Sequence, residues 1–171
     1  IAGGISNEIT SACNGFIGGG SNARICCATF SSVVGGRQNE IGAVTNPITA
    51  SFVGGGEINA VVCDWGSVVG GCDNQVKKFY GFIGGGGQNR ANGQAGKGSD
   101  FGYDIIVGGL ANISCSGFGF IGGGITNFNN GGVSFIGGGA SNTTSGNYNT
   151  ISGGYFNTTT GLYSTISGGY G

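Results

Sequence analysis

The chain has 171 residues, of which 43 are Gly and one is Pro, with 6 Lys plus Arg, 7 Asp plus Glu, and no His or Met. Collagen is excluded because the glycines cluster as GG and GGG instead of recurring at every third position with abundant Pro, and a 38% apolar, 8% charged composition argues against extended disorder. A net charge of −1 with scattered basic residues leaves nothing to neutralise a phosphate backbone, so nucleic acid is not an expected partner; no apolar run approaches the roughly 20 residues of a spanning helix, so no membrane insertion is expected.

One residue in four is Gly and strong helix formers are scarce, which points to an all-β chain. In chain order, an apolar pair, two or three Gly, one or two variable residues and an Asn recur as FIGGGSN, VVGGRQN, FVGGGEIN, VVGGCDN, FIGGGGQN, IVGGLAN, FIGGGITN, FIGGGASN and ISGGYFN. The asparagines, from Asn7 onward, are spaced 15, 17, 20, 15, 15, 23, 15, 15 and 15 residues apart. A fixed period with tolerated insertions is the signature of stacked coils. The spacing predicts a parallel β-solenoid (β-roll) of about eleven 15-residue coils, one domain over residues 1–171, with a loop projecting at 90–105. The chain opens on Ile1 and both ends fall inside a repeat, so it is expected to be a piece of a longer protein.

Counting forward from each Asn gives the remaining columns. Six residues on stand Cys13, Ala28, Thr45, Trp65, Tyr80, Ala95, Phe118, Val133, Tyr148 and Tyr163, a predicted aromatic ladder along the axis. Two residues later, in the regular coils, come Phe82, Phe120, Phe135, Thr150 and Thr165, each followed by Ile. Neighbours on a strand face opposite ways. Either both faces are covered, which calls for a partner and makes self-association the expectation, or one apolar column is simply exposed. The Gly pairs supply positive φ at a corner, and Asn22, Asn39, Asn59, Asn74, Asn89, Asn112, Asn127, Asn142 and Asn157 form a predicted structural ladder bonded along the axis.

Chemistry is sparse. Cys13, Cys26, Cys27, Cys63, Cys72 and Cys115 contain no CxxC pair and have no His beside them, so a zinc site is not expected. They are read either as disulfide partners or as small core hydrophobes. Asn112, Asn142 and Asn157 head Asn-x-Ser/Thr sequons and are candidate glycosylation sites. Absence of His removes the usual general base, so no enzyme activity and no cofactor is expected. Asp100 and Asp104 partly echo a calcium-binding glycine repeat, but in a single copy.

The stretch SNTTSGNYNTISGGYFNTTTGLYSTISGGYG, from Ser141 to Gly171, resembles the head repeats of trimeric autotransporter adhesins and similar bacteriophage tail-fibre repeats. The matching residues are Thr150-Ile151-Ser152-Gly153-Gly154, Asn157, Thr160-Gly161 and Thr165-Ile166-Ser167-Gly168-Gly169. The resemblance implies a left-handed parallel roll, a homotrimer forming a rod or head, and display outside a cell or on a virion. The expected function is a structural or adhesive module that binds copies of itself and a host receptor or surface glycan. Ice binding through Thr150, Thr158, Thr159 and Thr165, and end-to-end stacking into filaments, are the alternatives.

Overall fold

The computed structural model describes residues 1–42, 47–92 and 102–171. Among them every regular element is a β-strand, mostly two or three residues long. The strands form two ten-stranded sheets, parallel throughout, and one two-stranded sheet that pairs Ala28–Thr29 with Ile48–Thr49. Each coil gives one strand to each large sheet. It then adds a single bridging residue to a third column that runs from Ile5 through Ser21 and Arg37 to Tyr155 and Tyr170. The fold is therefore a parallel β-solenoid of about ten turns, spaced about 15 residues apart in the regular part. The bridging column holds eleven residues and the sheets ten strands each.

Alternation along the short strands makes the interior. In the sheet that carries the apolar pairs, the second residue points inward: Ile17, Val33, Val53, Val68, Ile83, Ile106, Ile121, Ile136 and Ile151 are all fully buried. Burying each such side chain contributes roughly 1.5–3 kcal/mol. The sheet that follows the Asn corner faces them with Ile25, Ile41, Val61, Val76 and Ala91, then with Ser114, Asn129, Thr144 and Thr159. The core is thus apolar through Ala91 and polar on this wall afterwards. Most of the polar members are paired: Thr144 Oγ1 donates to Asn129 Oδ1 at 2.8 Å, and Asn129 Nδ2 donates to the Ser134 carbonyl at 2.9 Å.

The first residue of each apolar pair points outward. Phe16, Phe52, Phe82, Ile105 and Phe135 are between 36% and 49% exposed. A single chain thus covers only one face of this sheet. Of the two readings of the Phe-Ile adjacency, an exposed apolar column is what the chain by itself displays.

Insertions leave the sheets intact. Pairing offsets in the Asn sheet are 16 residues for Glu8 with Arg24 and for Arg24 with Glu40, 20 for Glu40 with Ala60, and 23 for Arg90 with Ile113. Of the loop expected at 90–105, Arg90–Ala91 and Ile105–Ile106 are strands within the sheets. Thr45, Ala95 and Asp100 lie outside the described residues.

Two adjacent glycine columns differ in their cause. Gly124 has φ +90, and a Cβ there would overlap the carbonyl oxygen of Gly139 in the next coil. Gly138, at the neighbouring corner position, would meet nothing within 4 Å. Gly124→Ala is expected to cost at least about 2 kcal/mol, from left-handed strain plus overlap. Gly138→Ala should stay within about 0.5 kcal/mol of the parent. Paired thermal or urea unfolding of the two variants checks the contrast.

Candidate functional site

The Asn corner is the most regular polar structure in the chain. Asn59 donates from Nδ2 to the carbonyls of Gly55 and Gly71, both at 2.9 Å, and its Oδ1 accepts the backbone N–H of Asn74 at 3.0 Å. The pattern repeats at Asn39, Asn74, Asn89, Asn112, Asn127, Asn142 and, through its two carbonyl bonds, at Asn157. Each carboxamide ties its own Gly corner to the next coil.

Asn22 does not belong to this column. FIGGGSN has one residue fewer between its glycines and its Asn than FVGGGEIN, so Asn22 falls at the left-handed position, with φ 54, and is exposed. The buried place is taken by Ala23, whose N–H donates to Asn7 Oδ1 at 2.9 Å. The ladder therefore begins at Asn7, is interrupted at Ala23, and resumes at Asn39.

The same geometry removes the sequons as sugar acceptors in the folded chain. Asn112 and Asn142 are fully buried and Asn157 is 5% exposed. In each, Nδ2 is already donating to two backbone carbonyls.

All six cysteines are free thiols, so the disulfide reading does not describe this structure. They are dispersed along the chain, and only Cys26 and Cys115 share a column, five coils apart. Cys13 and Cys72 are exposed, and Cys63 is buried, donating to the Lys78 carbonyl at 2.8 Å. Burial, with Asp64 adding to it, pushes the Cys63 thiol up to about 12. Burial, and then Asp104, also raises Cys115. Cys26 and Cys27 bring their sulfurs to 3.3 Å. Adjacent strand residues would diverge, but Cys27 sits at φ 52, and that bend turns its side chain toward its neighbour's. The contact with Cys26 raises the Cys27 thiol.

Aromatic residues form the expected ladder at Trp65, Tyr80, Phe118, Tyr148 and Tyr163, with Val133 in the same column, and in the coils with insertions its place is taken by Phe30, Ala50 and Tyr103 instead of the residues counted forward from Asn. Its members stand two residues before the outward strand position: Phe30, Ala50, Trp65, Tyr80, Tyr103, Phe118, Val133, Tyr148 and Tyr163. Trp65 and Tyr80 stack at 4.8 Å, Tyr80 and Tyr103 at 4.8 Å, Tyr103 and Phe118 at 5.3 Å, and Tyr148 and Tyr163 at 4.9 Å. Phe30 and Tyr103 were missed because insertions shift the count from Asn. Counting back from the apolar pair finds both.

Beside this ladder runs the outward apolar column. Where it holds Phe, the ring lies over a Gly two residues on, as Phe52 over Gly54 and Phe135 over Gly137. Where it holds Ser, that Gly becomes an exposed Val, as in Ser32 with Val34 and Ser67 with Val69. At least one large apolar side chain per coil therefore faces out from Phe16 to Phe135, and the coil of Ile105 and Val107 has two.

Charges gather elsewhere. Arg24 pairs with Glu40 at 3.1 Å, Arg90 with Asp73 at 3.5 Å, and Arg37 with Glu57, each bond joining neighbouring coils. Such exposed pairs contribute about 0–1 kcal/mol each, and they place opposite charges, not mutually repelling like ones, across neighbouring coils. Asp104 is fully buried and accepts Ser114 Oγ, Ser116 Oγ and the Gly119 N–H on one oxygen, which makes it a structural acceptor. Among the described residues no group of three or more metal-ligating side chains is brought together.

Two outcomes follow. Asn127→Ala strips partners from the Gly123 and Gly139 carbonyls and the Asn142 N–H, and should cost about 3 kcal/mol or more; Ala23→Asn restores the missing rung and should gain about 1 kcal/mol, both read by chemical unfolding. For the thiols, a raised group stays protonated until the pH nears its value, so at pH 8 only about one Cys63 in ten thousand is thiolate. Brief iodoacetamide treatment followed by mass spectrometry should label Cys13 and Cys72 and spare Cys63.

No protein-family model matches the chain, and no curated protein sequence matches it.

Proposed function

We propose that the chain is a structural and adhesive module. In this reading it is a rigid β-solenoid segment of a fibre or head, displayed outside a cell or on a virion, that associates side by side with copies of itself as a homotrimer. The observation that carries the reading is the outward column of Phe16, Val34, Phe52, Val69, Phe82 and Val107, one large exposed apolar side chain in each of six successive coils. A contiguous apolar strip of this kind on a soluble chain marks an interaction surface. A partner that contacts every coil must itself repeat at the coil spacing of about 4.8 Å, and another copy of this chain does so. Host receptor or surface glycan is the second class of partner in this reading, and the rod takes no cofactor.

Outward threonines, which an ice-binding face would use, occur as Thr150 and Thr165 on one sheet and Thr143 and Thr158 on the other. These ranks are two coils deep against six for the apolar strip, so the strip favours the structural reading. Sedimentation velocity at micromolar concentration should give the mass of a trimer. Phe52→Lys with Phe82→Lys should give a monomer with an unchanged far-UV spectrum. A wild-type chain that sediments as a monomer overturns the self-association.

A further inference from the structure

We infer that the interruption of the aromatic ladder at Val133 is a binding slot for a pyranose ring of a glycan. The inference rests on the adhesive half of the reading above and deepens it, by stating where the rod holds a sugar and through which chemistry.

The ladder rings lie across the solenoid axis. Phe118 stacks on Tyr103 with planes 14° apart, and Tyr148 stacks on Tyr163 with planes 7° apart. Each therefore has one face occupied and turns the other toward the coil between them, where the ladder residue is Val133. With coils about 4.8 Å apart, the two facing rings stand about 9.6 Å from each other. That gap holds one six-membered ring at the ladder's own spacing. Phe118, Val133 and Tyr148 are 56%, 44% and 52% exposed, so the gap is open to solvent.

A back wall closes the slot on one side. Phe120 and Phe135 stack at 5.0 Å with planes 3° apart, and together with Phe118, Val133, Tyr148, Thr150 and the polar Ser134 and Asn149 they line an open-faced cavity of about 390 Å³. The other gap in the ladder, at Ala50, has Ser32 and Ser67 on either side of Phe52 and so lacks a stacked pair behind it.

The lining chooses among rings. The π faces of Phe118 and Tyr148 carry negative charge density and attract weakly positive C–H groups. No charged side chain lines the cavity, so neither a cation nor an anion finds a counter-charge there. The hydroxyls of Tyr148 and Thr150 make no hydrogen bond to described residues. A pyranose offers C–H groups on both faces and hydroxyls around its edge, which answers both features. An aromatic side chain from a second copy would answer the stacking alone.

The test is an NMR titration of the full chain with methyl β-D-galactopyranoside, methyl β-D-glucopyranoside and N-acetyl-D-glucosamine. At least one should give saturable shifts centred on Phe118, Val133 and Tyr148. Val133→Tyr completes the ladder from an outward position and should weaken that binding at least tenfold, with an unchanged far-UV spectrum, whereas Val133→Ala should keep it. Absence of saturable shifts with all three sugars overturns the inference, as does equal affinity in Val133→Tyr. If Val133→Tyr instead changes the sedimenting mass and no sugar binds, the slot belongs to a second copy and the inference also fails. A wild-type monomer that still binds sugar at this slot would remove self-association alone.

Discussion

Parallel stacking of short strands is the constraint on which everything else depends. A coil two or three residues wide in each sheet has little lateral extent, so its backbone groups must be satisfied by the coils above and below. Strands do this along their length and the bridging column continues it at the corner, as where the Ile125 N–H donates to the Gly139 carbonyl, but among the described residues the Gly123 carbonyl and the Asn142 N–H find no backbone partner. The Asn carboxamide resolves the difficulty: one side chain accepts an N–H from the following coil and donates to carbonyls of its own and the next corner. Its reach fixes the corner's size, and the positive-φ Gly beside it lets neighbouring backbones approach without a Cβ between them. Asn and Gly are therefore one device, and the apolar interior is built on the frame that it sets.

Much of this was legible in the sequence because the frame repeats. The period gave the parallel solenoid, and the Phe-Ile adjacency gave two columns facing opposite ways, of which burial then shows Ile to be the inward one. The lapses share one cause. Counting from Asn presumes that each motif has equal length, and FIGGGSN is one residue short, which moved Asn22 out of the column and Ala23 into it. The insert after Arg90 likewise hid Tyr103, which stands in the ladder because of its distance to Ile105, the next strand, and not to the preceding corner. Strand-to-residue distance is the physical invariant, since insertions bulge from the turn while the strand keeps its pairing. The sequons and cysteines were left open for a different reason: pattern gives no burial, and a sequon Asn whose amide is already committed to two carbonyls resembles any other on paper.

Division of labour among the faces follows from the same geometry. The Asn sheet and the bridging column carry the charged pairs, arranged so that opposite signs meet across adjacent coils. The opposite sheet is nearly free of charge on its outer surface and carries the aromatic and aliphatic columns. The charged pairs thus lie on one side of the solenoid, and the apolar side carries the exposed hydrophobic columns. The interior changes as well, from Ile and Val to Ser, Asn and Thr across the Asn sheet, so the first part is held more by burial and the last part more by internal hydrogen bonds.

The pairing of Phe with Gly, or of Ser with Val, two residues apart on the outer sheet amounts to a rule about thickness. A ring laid flat over a bare backbone and a branched chain standing beside a small hydroxyl fill similar depths above the strand. Successive coils can therefore alternate between the two choices while the surface stays level. Ile105 with Val107 is the place where both positions are large, and Thr150 with Ser152 a place where neither is, so the level stretch is that of the Phe-Gly and Ser-Val coils. A flat exterior is in this way written into the chain as a correlation between residues, with neither residue type held constant on its own.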